Sequence, residues 1–138
     1  MKTVLAFGTF DILHPGHLSY LSQARSHGDR LVVVVSRDAS VVAAKQAKPL
    51  FSERERKAIV SSLSIVDKVV LGSVTNHFSV LSKVRPNVVC LGYDHAVTAV
   101  DIRRACKNMG IPCPVVFRAR ALNQRRFKSS GLKKFLSI

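Results

Sequence analysis

The stretch GTFDILHPGHLSYL, from Gly8 to Leu21, carries the densest chemical pattern in this 138-residue chain. It follows the short apolar run Thr3–Phe7, which predicts a β-strand ending at a glycine. Apolar residues with helical spacing then extend over residues 18–27, and Gly28 is well suited to end that helix. The stretch therefore predicts the turn between a first strand and a first helix.

Outward from this turn, apolar runs alternate with helical patterns along the chain. The alternation predicts an α/β fold: a doubly wound, Rossmann-like parallel sheet of five strands in the order 3-2-1-4-5, with helices on both faces. We expect residues 1–138 to form a single domain. The later predicted strands are Leu31–Val35, Val69–Leu71, Val88–Leu91 and Val115–Phe117, and the later helices begin at Ser52 (capped with Glu55), cover His77–Val84 and Asp101–Met109, and run from Ser130 to about Leu136.

Composition narrows the class of protein. The apolar start MKTVLAFGTFD is too short for a signal peptide, and no apolar run approaches the roughly 18 residues of a membrane span. The three cysteines lack metal-ligand spacing and suggest reduced thiols, so we expect a cytoplasmic protein. The net charge of +14 favours anionic partners, which could be nucleotides, phosphorylated metabolites or nucleic acid.

Two turns of the predicted sheet lie where a ligand is expected. In such sheets, ligands bind beyond the carboxyl ends of the strands, where the strand order reverses. The turns after strand one (Gly8–His17) and strand four (Gly92–His95) end on that edge and are neighbours in the predicted order. We therefore expect them to form one site.

The first of these turns has features of an anion site. We expect Gly8 to let the backbone pass close to a phosphate, and Thr9 and Phe10 to present backbone N–H groups to it. The start of the following helix attracts phosphate through its N–H groups and its dipole.

Two histidines frame the start of that helix. His14 and His17 are three residues apart and can face the same side. Pro15 suits the first helical turn, and Gly16 leaves room for a bulky ligand. A zinc site would need a third ligand, and Asp11 is more suited to holding the loop by hydrogen bonds. We therefore predict phosphate contacts and no bound metal.

The segment resembles the HxGH signature of the nucleotidyltransferase superfamily, in the GTFDxLHxGH form of its cytidylyltransferase-like branch. That branch includes glycerol-3-phosphate cytidylyltransferases and archaeal FAD synthases. The similarity continues through Leu31–Asp38, Ser52–Ser73 and Leu91–His95, and the last of these, LGYDH, most resembles the archaeal FAD synthases.

The resemblance implies roles for individual residues. Thr9 and Phe10 would hold the triphosphate through the backbone, the two histidines would stabilise the transition state, and Asp94 would bind the nucleoside. Arg56 matches a family arginine directed at the triphosphate, and Lys45 or Lys48 would meet the second substrate's phosphate. The implied nucleotide site comprises Gly8, Thr9, Phe10, His14, Pro15, Gly16, His17, Arg56, Asp94, Ser129 and Ser130.

The chain departs from the family near its C-terminus. Relatives carry a motif of the form RTxGIST before the last helix, whereas this chain has RRFKSSGLKKFL. Ser129 and Ser130 keep two hydroxyls there, and Arg125, Arg126 and Lys128 keep positive charge.

The activity that the resemblance implies is transfer of a nucleoside monophosphate to a phosphorylated small molecule, with release of pyrophosphate. The first expectation is ATP plus FMN giving FAD, with Mg²⁺ carried on the triphosphate. The alternatives are a CTP-dependent glycerol-3-phosphate cytidylyltransferase, a sugar-phosphate adenylyltransferase of the ADP-heptose type, and, more remotely, a basic nucleic-acid-binding module. Relatives are commonly dimers, so a homodimer is expected.

Overall fold

The computed structural model describes residues 1–122 of the chain. They form one parallel sheet of five strands in the order β3-β2-β1-β4-β5. The predicted fold class and strand order are therefore confirmed. The strands are β1 (Thr3–Gly8), β2 (Arg30–Val35), β3 (Lys68–Leu71), β4 (Val88–Leu91) and β5 (Val115–Arg118), and the helices are α1 (Pro15–Arg25), α2 (Asp38–Lys45), α3 (Glu53–Ser61), α4 (Ser79–Val84) and α5 (Ala99–Met109).

Alternating side chains of the central strands build two apolar layers, one on each face of the sheet. Val4, Ala6, Val33 and Val35 belong to the layer that includes apolar residues of α1 and α3. Leu5, Val32, Val34 and Val89 belong to the layer beneath α4 and α5. This double burial explains why the central strands are nearly continuous runs of apolar residues. None of the helices within residues 1–122 is long and apolar enough to cross a lipid bilayer.

Helix α1 begins earlier than its apolar spacing indicates. Its first residue is Pro15 and His14 is its N-cap, so the two site histidines lie in the cap and the first turn of the helix. The predicted capping box at Ser52 and Glu55 is confirmed at the start of α3, where each side chain bonds the other residue's backbone N–H.

Helix α2 was not predicted from the sequence. Its N-cap, Arg37, makes no side-chain capping bond. Its first N–H, that of Asp38, donates instead to the carboxylate of Glu53 at the start of α3 (2.9 Å). A helix capped by a residue from another helix leaves no local signal in the sequence.

Candidate active site

The sheet opens into a crevice between the carboxyl ends of β1 and β4. The ladder between these strands ends at the pair Ala6–Cys90, although both strands continue. Beyond it, the hydroxyl of Tyr20 accepts from the N–H of Phe7 (3.0 Å) and donates to the carbonyl of Cys90 (2.6 Å). A side chain thus takes the place of a ladder bond where the strand order reverses, which is where such sheets bind ligands.

The turn after β1 is shaped by a glycine and an aromatic ring. Phe10 has a left-handed backbone (φ 51°), and its ring is buried. A Cβ on Gly8 would lie 2.5 Å from that ring. Glycine at this position therefore accommodates the packed ring of Phe10, and the expected close approach of a phosphate stays a prediction.

The two histidines are held against each other at the start of α1. Their rings stack with centroids 3.8 Å apart, and the edge of the His17 ring meets the ring of Phe10. Nδ1 of His14 accepts from the N–H of Gly16 (3.1 Å), and Nδ1 of His17 accepts from the N–H of His14 (3.3 Å). The histidines form a capping box in which imidazoles replace the usual hydroxyl and carboxylate.

This capping changes how the helix start could bind an anion. The N–H of Gly16 donates to the His14 ring, and those of His17 and Leu18 both donate to the carbonyl of His14 (2.9 and 3.2 Å). The backbone donors of the first turn are thus already paired, and Pro15 has none. A phosphate at this end of α1 would therefore meet mainly the imidazoles and the helix dipole.

The hydrogen bonds also fix the proton on each ring. A neutral imidazole that accepts at Nδ1 carries its proton on Nε2 and can donate from there. Burial lowers the pKa of His14, and burial, then the charges of His14 and Lys45, lowers the pKa of His17 to about 3. Without ligand the pair is therefore neutral near pH 7, with Nε2–H donors.

Arg56 lies beneath the turn, fully buried. Its guanidinium donates to the carbonyls of Thr9 (2.8 Å) and Phe51 (3.0 Å) and pairs with the carboxylate of Asp38 (2.6 Å). In this structure it fixes the loop after β1 to the starts of α2 and α3. The predicted contact with a triphosphate stays a prediction.

A second charged pair braces the same edge of the sheet. Arg37 donates to Glu53 (2.8 Å) and to the carbonyl of Gly72 after β3 (2.8 Å). The N–H of Asp38 and then Arg37 lower the pKa of Glu53. Together with Arg56 and Asp38, these residues join the ends of β1, β2 and β3.

The loop between α2 and α3 closes over the turn. Asp11 is buried and accepts from the N–H groups of Leu50 (2.9 Å) and Phe51 (3.0 Å), as the loop-holding role requires. Lys45 ends α2 and is exposed, close enough to His17 for its charge to lower that pKa. Lys48 is exposed in the loop. The predicted contact of either lysine with a second phosphate stays a prediction.

The loop after β4 presents Asp94 at the other side of the crevice, where the residue is exposed. Nδ1 of His95 accepts from the N–H of Gly92 (2.9 Å), and the ring packs edge-on against Tyr20 (5.7 Å). Burial lowers the pKa of His95. The structure thus brings Asp94 to the same edge of the sheet as the two histidines, while Ser129 and Ser130 lie outside the described residues.

Sequence reasoning missed three residues that shape this site: Tyr20, His95 and Arg118. Tyr20 follows His17 by one turn, and a buried tyrosine usually gives its hydroxyl a partner, which is a usable signal. Arg118 is a charge at the carboxyl end of an apolar strand, on the edge where ligands bind. The partners of Tyr20 and Arg118 and the ring contact of His95 with Tyr20 are distant in sequence, so no local pattern identifies them.

A parallel sheet in this order, with an HxGH turn at its switch point, defines a nucleotidyltransferase of the HxGH class. The model of the cytidylyltransferase-like family matches residues 5–134, and the chain belongs to that family. The resemblance noted from the sequence is confirmed.

Individual relatives agree with this assignment. The chain is 44% identical over 116 residues to the FAD synthase of Methanosarcina barkeri, covering 84% of this chain and 82% of the relative. It is 42% identical over 131 residues to the FAD synthase of Methanohalobium evestigatum, covering 95% and 85%. Among solved structures, a lipopolysaccharide core biosynthesis protein from Thermoplasma volcanium superposes with a TM-score of 0.82 at 36% identity, covering 89% of this chain and 99% of that one.

Proposed function

We propose that this protein is an FAD synthase, which transfers the adenylyl group of Mg²⁺-ATP to the phosphate of FMN. The observation that carries the proposal is its 44% identity to an archaeal FAD synthase over 82% of that protein's length. The reaction forms a bond between an FMN phosphate oxygen and the α-phosphorus of ATP. It breaks the bond from that phosphorus to the bridging oxygen, and pyrophosphate leaves with the electron pair.

The chemistry asks for alignment and charge stabilisation more than for proton transfer. The attacking phosphate oxygen is already ionised near pH 7, so no general base is needed. The protein must hold two anions in line and stabilise the charge that develops on the α-phosphate and on the departing pyrophosphate. The Nε2–H groups of His14 and His17 would serve as fixed donors for this task, because their Nδ1 atoms are occupied by backbone N–H groups.

Positive charge would come from other groups. Lys45 lies near His17, and Lys45 or Lys48 would meet the phosphate of FMN. Mg²⁺ arrives on the triphosphate and neutralises its oxygens. Asp94 would bind the adenosine, while the backbone of Thr9 and Phe10 would hold the triphosphate. Arg56 would act by fixing the carbonyl of Thr9.

A substrate matrix tests the proposal. Purified protein is incubated with ATP or CTP, each combined with FMN, glycerol 3-phosphate or heptose 1-phosphate, and products are separated by chromatography. We expect FAD and an equal amount of pyrophosphate from the pair ATP and FMN, and no product from any other pair. Formation of CDP-glycerol or ADP-heptose, with no FAD, would refute the proposal and identify the alternative. Salt-sensitive binding to random DNA without any turnover would favour the nucleic-acid module.

We propose further that residues 1–138 act as one domain, as a homodimer, in the cytoplasm. The homodimer is proposed because members of the resembled family are commonly dimers. Sedimentation of the purified protein distinguishes a dimer from a monomer directly.

A further inference from the structure

We propose that Arg118 is a positioning residue of the active site, which holds the loop carrying Asp94 in the shape that receives the nucleotide. The inference rests on the proposed function, because it assigns Asp94 to the adenosine. It names the residue that acts through Asp94.

The guanidinium of Arg118 gathers three carbonyls of a single loop. Its Nη1 donates to the carbonyls of Gly92 and His95, both at 2.8 Å, and its Nη2 donates to that of Val97, also at 2.8 Å. Arg118 is the last residue of β5 and pairs in register with Leu91, the last residue of β4. The rigid sheet edge thus supplies the anchor, and residues 92–97 wrap around it.

The contacts of Arg118 are with the backbone, and this decides its role. Because its hydrogen bonds go to carbonyls on both sides of Asp94, the arginine shapes the loop without engaging the carboxylate. Asp94 stays exposed at the crevice. Hydrogen bonds from a charged donor are stronger than neutral ones, so one side chain can order several residues.

His95 supports the loop from the other side. Its Nδ1 accepts from the N–H of Gly92, and a Cβ on Gly92 would lie 2.7 Å from the ring. The ring rests edge-on against Tyr20, which bridges β1 and β4. The His95 ring thus links this loop to the Tyr20 bridge between β1 and β4, so loss of the arginine should loosen the loop without opening the sheet.

The chain offers a matched control in Arg120. It is exposed and carries the same charge two residues away. Its backbone N–H and carbonyl pair with the side chain of Gln23, and its guanidinium makes no hydrogen bond or ion pair within residues 1–122. Arg118→Met and Arg120→Met therefore remove the same charge, but only the first removes the three loop contacts. Arg118→Lys keeps the charge but offers a single nitrogen to three carbonyls.

Hydrogen exchange is the first test, and it does not depend on any activity. We expect the hydrogen-bonded amides of this loop, those of Gly92 and His95, to exchange at least about tenfold faster in Arg118→Met than in wild type, because the loop opens more often. The same amides should be unchanged in Arg120→Met. Wild-type protection of this loop in Arg118→Met would overturn the proposal.

Steady-state kinetics is the second test. In Arg118→Met, a weakened contact to adenosine, which does not react, removes binding energy that the ground state and the transition state share. KM for ATP should therefore rise about tenfold, with kcat changed less than about threefold. A merely structural defect would lower the active fraction, and hence apparent kcat, at an unchanged KM. KM for FMN should move less than KM for ATP.

A double-mutant cycle isolates the route through Asp94. If Arg118 acts through that carboxylate, Arg118→Met should add little to the effect of Asp94→Ala on KM for ATP. Additive effects would contradict the proposal. Absence of FAD formation by wild type would sink the proposed function alone, since the exchange test still decides the role of Arg118.

Discussion

In His14 and His17, Nδ1 of each ring accepts a hydrogen bond from a backbone N–H, and Nε2 can donate to a ligand. A cap built from serine and glutamate could also stabilise the helix start, yet its carboxylate would have no proton to donate to a phosphate and would repel it. Burial lowers the pKa of both rings, and the neighbouring His14, 3.8 Å away, lowers that of His17 further because two adjacent imidazolium ions would repel each other. The observed capping and the proposed catalysis thus use the same two side chains.

Substitution of His17 should separate these two duties. We expect His17→Ala to lower FAD formation by about a hundredfold or more, since a transition-state donor is lost. Stability should fall by only about 1 kcal/mol, the value of a capping interaction. His17→Gln, which supplies a neutral amide donor, should retain more activity than His17→Ala.

The matched control for that series is His77→Ala. His77 is exposed in the loop before α4, so its loss should change neither activity nor stability. Turnover by His17→Ala within about twofold of wild type would rule out its assigned role.

Acid should destabilise the ligand-free protein before its carboxylates are protonated. Burial lowers the pKa of His14, His17 and His95 below 6.5, so the folded state binds fewer protons than the unfolded state. Their stabilisation is complete above that pH and is lost as pH falls from 6.5 toward the depressed values, about 3 for His17.

Urea unfolding at about pH 7.5 and about pH 5.5 measures this effect, and His17 alone should contribute on the order of 1 kcal/mol to the difference. Glu53 and Asp101 have lowered pKa values and stay ionised in this range. His17→Gln should therefore flatten the pH dependence. An unchanged slope in that variant would show that other groups cause it.

At the scale of whole elements, the N-terminal ends of helices α2 and α3 are joined by two ion pairs and a capping hydrogen bond. Glu53 receives the first N–H of α2 and pairs with Arg37, while Arg56 of α3 pairs with Asp38 of α2. The sequence marks the start of α3 through its capping box, but α2 has only Val41 buried and no side-chain cap of its own. Its existence depends on a partner fifteen residues away, which local patterns cannot show.

Arg56 bonds three of the segments that meet at this junction, and its removal should lower the stability of the fold. We expect Arg56→Met to lower the free energy of unfolding by roughly 3 kcal/mol, because it leaves Asp38 unpaired and two carbonyls without donors. Asp38 is 39% exposed, so water offsets part of that cost. Thermal unfolding measures the change.

The neighbouring Arg54 provides the comparison. It is exposed on the same helix, and Arg54→Met should stay within about 0.5 kcal/mol of wild type. FAD formation should fall in Arg56→Met beyond the loss of folded protein, because the carbonyl of Thr9 loses its anchor. Equal stability of the two variants would disprove this account.

For the molecule as a whole, the parallel sheet could be predicted because every strand is apolar and each crossover is long enough for a helix, and the strand order is the usual one of doubly wound folds. Glycines at the ends of β1, β3 and β4 located the loops of the binding edge. The roles of the buried Arg56 and the exposed Arg118 could not be predicted, since both side chains donate to carbonyls distant in sequence. Residue type indicated which segments carry candidate site residues, whereas only the folded structure shows that these two arginines bind the backbone.

The net charge of +14 should speed the association of the protein with ATP. A positive field draws a polyanion toward the crevice, and salt screens that attraction. We expect kcat/KM for ATP to fall severalfold between about 50 and about 500 mM KCl, with kcat at saturating ATP little changed. A salt-independent kcat/KM would mean that the charge does not steer substrate.

The ring of Phe10 occupying the space beside Gly8 has a consequence for laboratory evolution of this turn. Any side chain at position 8 collides with the ring, whereas a smaller residue at position 10 empties a packed site beside His17. Single-site libraries would therefore score both positions as intolerant. Only libraries that randomise both positions together can reach sequences with a larger side chain at position 8 and a smaller one at position 10.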